Sequence, residues 1–401
     1  MKKDLSKYIR VGIDYFKETI IPMTGEDLKV LKKWNKQTII DDFGKDAIKN
    51  VKTYEGFCFK PSHQNFQKEI NGFYNSYEPL SYELQPDGTW ENIEKLLRHI
   101  FDEHYEIGLD YLTLLWQKPT QVLPILCLVS TERNTGKTTF LNLLKILFER
   151  NMTLNTNEDF RSRFNGDWAG KLIIAIDEVL LDRKEDSERI KNLSTAKYYK
   201  AESKGKDKEE VEFFGKFILC SNNEENFIKI DANEIRYWVR KIPSLGDSVN
   251  PNLLAELEKE VPSFAYFLNT RTVATKQATR MWFTKEQIHT EALNILIRGN
   301  RTSIEKELEE MLLEEFAVFE LDKLCYSAKN LCEMLKKRGL SVSSNYISST
   351  LQSKYGLEPK NSSYKWYRSE IYADGSPVAT GSSPEKGRYF EFTKELFEKE
   401  C

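Results

Sequence analysis

One segment restricts the fold more than any other: PILCLVSTERNTGKTTFLNLLKILF, residues 124–148. An apolar run ends in a polar loop, the loop closes on Gly136-Lys137-Thr138, and Phe140, Leu143, Leu144 and Leu147 then recur at helical spacing. Strand, loop, GK[ST] and helix in that order form a phosphate-binding turn. Loop N–H groups and the helix amino terminus present partial positive charge to phosphate oxygens. Lys137 is the residue to reach the β and γ phosphates, and the Thr138 hydroxyl is placed for Mg²⁺. Thr135, Gly136 and Thr139 complete the expected nucleotide-binding set. The pattern departs from GxxxxGK[ST] at one place, where Thr131 stands for the first glycine.

Downstream, KLIIAIDEVLL carries a near-continuous apolar run into Asp177-Glu178, as expected of a central parallel strand covered on both faces. Two carboxylates at its end suit a Mg²⁺ contact (Asp177) and a water-polarising base (Glu178). A third apolar run, FFGKFILC, ends in Ser221-Asn222-Asn223, where an amide can hydrogen-bond the attacking water or the γ-phosphate. Arg236 and Arg240 in RYWVRKIP are alternatives for the arginine that stabilises charge during phosphoryl transfer. Residues 121–245 thus alternate short strands with helices, the pattern of an α/β unit with a largely parallel sheet.

The order of these motifs resembles superfamily 3 helicases, and within them the poxvirus- and phage-type primase-helicases. TERNTGKTTF, LIIAIDEV, AESKGKDKEEVEFFGKFILCSNN and RYWVRKIP carry the resemblance, over residues 90–245. It implies an AAA+-like P-loop ATPase core that assembles as a homo-hexameric ring, uses ATP and Mg²⁺, and translocates on single-stranded DNA. By position, Asp177 and Glu178 would be the Walker B pair, Asn222 sensor 1, and Arg236 the finger reaching a neighbour's ATP. A hairpin between the second and third strands would bring Lys204, Lys206 and Lys208 to DNA; lysines at such a tip contact backbone phosphates without reading sequence. No paired acids on an apolar strand precede this region, so a primase, where needed, is expected on a separate polypeptide.

Around this core the expected divisions are a mixed, helical N-terminal region (1–90), the ATPase domain (91–250), a helical connector (251–320) and a winged-helix-like domain (321–401). The last is read from SAKNLCEMLKKRG, NYISSTLQSKYG and two aromatic strands, SYKWYRSEIY and GRYFEFT, separated by a Gly/Ser/Pro-rich loop. Its second helix offers Asn345, Tyr346, Ser349, Gln352 and Lys354 to duplex or forked DNA; a protein-docking module has the same outline. Lys plus Arg number 59 against 62 Asp plus Glu, a net charge of -3, so a polyanion must be held locally rather than by the global field. The longest apolar run, 122–129, is too short to span a membrane. Six scattered cysteines and four histidines show neither a disulfide framework nor zinc spacing. A cytoplasmic DNA helicase of a phage, plasmid or mobile element is therefore expected, with an ATP-switched DNA-binding initiator that does not unwind as the alternative.

Overall fold

The computed structural model describes residues 4–22, 28–162, 168, 170–201, 209–230, 234–246, 250–371 and 377–398. The chain divides into two units, the first formed by residues 1–223 and 236–289, the second by 224–235 and 290–401.

The first unit is organised by five strands: β1 (Ile125–Val129), β2 (Met152–Asn155), β3 (Ile173–Ile176), β4 (Lys216–Ser221) and β5 (Tyr237–Lys241). They pair in the order β5-β1-β4-β3-β2, every neighbour parallel. β1, β3 and β4 are buried along their whole length, which is why they read as unbroken apolar runs rather than as alternation. Helices α1 (Glu91–Phe101), α2 (Tyr105–Gln117), α3 (Lys137–Phe148), α4 (Lys184–Ser194) and α5 (Leu253–Thr270) accompany the sheet. The apolar residues that recur at helical spacing along α1 are buried in full: Ile93, Leu96, Leu97, Ile100 and Phe101. Asp102 turns to φ 43° and separates α1 from α2.

The N-terminal region is mixed, and among its described residues strands outweigh helix. Tyr8–Val11, Asp14–Ile21, Leu28–Trp34 and Lys52–Tyr54 make a four-stranded sheet, with one α-helix at Lys36–Phe43. Adjacent residues point to opposite sides of a strand: Tyr8 and Tyr15 enter one cluster, Ile9 and Phe16 another. With both faces partly covered, these short strands lack the clean alternation that would mark them in the sequence. The aromatic segment that follows packs on the core, with Tyr77 buried and the Tyr82 hydroxyl donating to the Leu147 carbonyl at 2.6 Å.

The expected connector also divides differently. α5 packs with the core of the first unit through Leu257, Val261, Phe264 and Leu268, whereas residues from 290 onward belong to the second. There, α6 (Ser303–Phe319), β6 (Lys323–Tyr326), α7 (Ala328–Lys337), α8 (Ser344–Ser353), β7 (Lys360–Ile371) and β8 (Pro377–Thr393) follow the helix–strand–helix–helix–hairpin order of a winged helix. Sheet order is β6-β8-β7. The Gly/Ser/Pro stretch expected as a loop is strand over 377–387, pairing with β7 through a register shift at Arg368/Ser369. β6 pairs only with residues 390–393 of β8, so Pro384 falls where β8 has one partner, the edge position a missing N–H tolerates.

One half-buried histidine makes this packing pH-sensitive. His63 stacks on Trp116 with centroids 4.6 Å apart; its Nδ1–H donates to the Trp116 carbonyl at 2.8 Å, and Nε2 accepts from the Tyr77 hydroxyl. Burial, reinforced by the Lys216 charge, pushes its pKa down to about 4. The fold therefore holds the ring neutral while the unfolded chain protonates below about 6.5, so stability is present above that value and is lost as pH falls towards 4. Between pH 7.5 and 5 this group should remove about 2 kcal/mol. Urea titrations should show His63→Phe with a smaller loss over the same interval than the natural chain.

Candidate functional site

Strand register brings three of the predicted motifs to one edge of the sheet. Val129 pairs with Ser221 across β1 and β4, and Ile176 with Leu219 across β3 and β4. The 130–136 loop, Asp177-Glu178 and Asn222 therefore leave the carboxyl ends of three adjacent strands. In open α/β sheets this edge is where ligands bind.

Within the loop, Gly136 caps α3 at φ 81° and ψ 1°, a left-handed conformation suited to glycine. A Cβ there would lie 3.4 Å from Leu245 and 3.6 Å from Leu96. The first α-helical bond runs from the Phe140 N–H to the Gly136 carbonyl at 2.9 Å, leaving the amides of residues 137–139 outside the helix's own ladder. Lys137 is buried, and its Nζ donates to Thr135 Oγ1 at 3.1 Å. Thr139 is half-buried on the same first turn.

The Thr138 hydroxyl donates to Asp177 Oδ2 at 2.9 Å, joining the α3 amino terminus to the end of β3. A hydroxyl beside a carboxylate is the oxygen pair that Mg²⁺ takes when substrate phosphates supply its other ligands. Among the described residues no cluster of three or more His, Cys, Asp or Glu could hold a metal alone. Electrostatics place the same groups together: the Cys220 thiol on β4 is pushed up by burial and by Asp177, and drawn down by Lys137.

Glu178 is exposed with φ 51°, a backbone state uncommon outside glycine. Asn157 holds it there, its Nδ2 donating to the Glu178 carbonyl at 3.2 Å and its Oδ1 accepting from the Leu180 N–H at 3.0 Å. Asn222 is exposed just past β4. Next to it, the Ser221 hydroxyl donates to the Val179 carbonyl at 3.1 Å, tying β4 to the segment that carries Glu178.

Two flanking elements escaped sequence reading. His99 of α1 lies with Nε2 3.0 Å from the Thr135 carbonyl, and the segment after β5 docks through Leu245 N–H to Asn134 O (2.9 Å) and Asn134 Nδ2 to Gly246 O (2.8 Å). Neither carries a motif, and only tertiary packing brings them to the loop.

The two arginines separate. Arg236 precedes β5 at the amino end of the sheet, where its carbonyl accepts from the Ile125 N–H at 2.8 Å. The opposite end of a five-residue strand is roughly 16 Å away, so this arginine is remote from the phosphate loop of its own chain. Arg240 is buried, with NH2 donating to the Phe101 carbonyl at 2.8 Å and NH1 to Glu103 Oε1 and towards His104 Nδ1. That hydrogen bond holds the Glu103 carboxyl well below the usual carboxylate range. Arg240 thus ties α1 to β5, its guanidinium taken up by partners within its own chain. Lys204, Lys206 and Lys208 lie outside the described residues; the strands on either side, Tyr198–Ala201 and Glu209–Glu212, pair antiparallel.

Residues 128–237 match the model of a family of unknown function (DUF5906), a span holding the phosphate loop, the carboxylate pair and Asn222. No curated protein matches the sequence. Among solved structures, the apo structure of the NrS-1 C-terminal region (305–718) is 17% identical with a TM-score of 0.63, covering 92% of this chain and 94% of that one. An A-form apo structure of the same region is 19% identical with a TM-score of 0.63, covering 91% and 93%. The fold is therefore shared along nearly the whole of both chains.

The Arg240 assignment has a measurable consequence. Arg240→Ala should lower unfolding stability by about 2–3 kcal/mol, because the Phe101 carbonyl and a packed pocket lose their occupant. Arg240→Lys should recover only part, since an ammonium cannot reproduce the guanidinium fork. An unchanged urea midpoint for Arg240→Ala would remove the structural role.

Proposed function

We propose that this protein is a P-loop ATPase of the superfamily 3 helicase type, a Mg²⁺- and ATP-dependent motor that assembles as a ring and draws single-stranded DNA through it. The observation that carries the reading is the Thr138–Asp177 hydrogen bond at 2.9 Å, set beside Lys137 on a sheet ordered β5-β1-β4-β3-β2. It joins the two elements that a nucleoside triphosphate with its cation has to bridge.

In this reading the first-turn amides of α3 and Lys137 hold the phosphates, while Thr138 and Asp177 hold Mg²⁺. The ion, when bound, neutralises charge on the phosphate oxygens. Glu178 accepts a proton from the attacking water as the water oxygen bonds to the γ-phosphorus and the bond to the ADP oxygen breaks. Asn222 orients that water or the γ-phosphate. Arg236, far from its own phosphate loop, fits a role only at a neighbouring subunit's nucleotide, which makes the ring part of the chemistry. The lysine-bearing segment 202–208 is the DNA contact in the channel, and priming falls to a separate protein.

ATP hydrolysis with and without single-stranded DNA, with particle mass followed in ATP and Mg²⁺, tests the reading. Stimulation by DNA together with a ring-sized particle is expected; a monomer indifferent to DNA would overturn it. Lys137→Ala should abolish both hydrolysis and strand separation. Glu178→Gln should keep ATP binding and lose roughly 10²–10⁴ in turnover.

Subunit mixing checks the arginine separately. Lys137→Ala and Arg236→Ala proteins, each inactive alone, should regain partial ATPase activity when combined, because some interfaces then pair an intact phosphate loop with an intact finger. No recovery at any ratio would exclude Arg236 as the donor.

A further inference from the structure

We infer that the second unit carries a duplex-DNA reading surface, made by the exposed face of α8 and the adjoining face of β8. The inference stands apart from the ATPase reading, which concerns the first unit and a single strand.

β8 changes chemistry along one face. Phe392 and Phe390 are buried in the core of the unit; two and four residues before Phe390, at the same strand parity, come Arg388 and Lys386, both exposed. Cross-strand partners on that face are Asn361 for Arg388, Ser363 for Lys386 and Lys365 for Pro384. Each of these is exposed and none is acidic. Lys386 and Arg388 make no ion pair among the described residues, unlike Lys360, which is paired with Glu391 at 2.7 Å.

Arg388 also closes a shallow polar depression of about 570 Å³ whose other walls are Asn345, Ser348, Ser349, Gln352 and Ser353. All five come from α8, whose sequence SNYISSTLQS contains no charged residue. Of the residues named from sequence, Lys354 is engaged elsewhere, with Nζ on Glu305 at 2.6 Å, while Ser348, Ser353 and Arg388 join the face.

This combination selects one class of partner. A helix presenting amides and hydroxyls without charge fits the major groove, where Asn and Gln pair with adenine edges and Ser with any base. Free cations on the neighbouring strand suit the phosphates beside that groove, and they fix position without reading sequence. A protein interface would expose an apolar centre; the one large apolar side chain α8 exposes among the described residues is Tyr346, at 37%.

The experiment uses the full chain without nucleotide and a labelled duplex of about 20 base pairs, long enough for a groove-bound helix and its flanking phosphates. Anisotropy is followed across a salt series. K365A/K386A/R388A should weaken duplex binding at least about tenfold and reduce the salt slope by roughly 2–3, near 0.9 per lost phosphate contact. Its DNA-stimulated ATPase activity should persist, whereas Lys137→Ala should lose hydrolysis and keep duplex affinity. The two readings can therefore fail separately. N345A/Q352A should keep the salt slope and flatten the base preference that the natural chain selects from a randomised duplex pool. Unchanged duplex affinity and slope in the triple variant would overturn the surface, as would its use for an acidic protein in place of DNA. A natural chain that selects no sequence would overturn base reading by α8.

Discussion

The position of β4 between β1 and β3 is the constraint on which the first unit turns. Its hydrogen bonds to both neighbours set the register that aligns three strand ends, and the phosphate loop cannot meet the carboxylate pair without that alignment. Such a strand has no exposed face to spend on polar residues, so its polarity is confined to its ends. At the amino end Lys216 is buried, its Nζ donating to the carbonyls of Phe214 at 2.7 Å and of Pro119. Desolvation drives the pKa of this amine down to about 7. At the carboxyl end, Ser221 ties the strand to Val179. One end secures the sheet and the other presents chemistry.

The site is also held under local strain. Glu178 has a positive φ, and Asn134 and Gly136 in the phosphate loop do as well. Two left-handed residues other than glycine, Asn134 and Glu178, do not persist around one edge unless the surroundings determine them. Here Asn157, the 245–246 segment and α1 provide that support through hydrogen bonds to backbone groups. The groups that touch phosphate in the proposed reaction are thus positioned by residues that do not.

Much of this was legible in the sequence, and the physical reason is burial. Strands covered on both faces, such as 173–176 and 216–221, read as apolar runs whatever the tertiary context, and their polar ends mark the site. α1 was legible because a single covered face leaves a helical period. The N-terminal strands were not: with two partly covered faces and lengths of three to eight residues, they carry neither a run nor an alternation. Residues 377–387 were hidden by composition, since Gly, Ser and Pro signal loops unless an edge position accepts them. Arg240 was ambiguous because its partners lie about 140 positions earlier in the chain, where no local pattern can register them.

The chain leaves the first unit after Asn223, contributes residues 224–235 to the second, and returns to make β5 before departing again at 290. The excursion is packed there: Phe227 and Ile228 are fully buried, and Asn300 Nδ2 donates to the Ile228 carbonyl at 2.9 Å. A piece of the second unit therefore lies between two strands of the core sheet in sequence. Neither unit can therefore be excised by a single cut in the chain. A truncation that drops only residues 290–401 would leave Phe227 and Ile228, buried in the intact chain, in the middle of the first unit's sequence without the rest of their own unit.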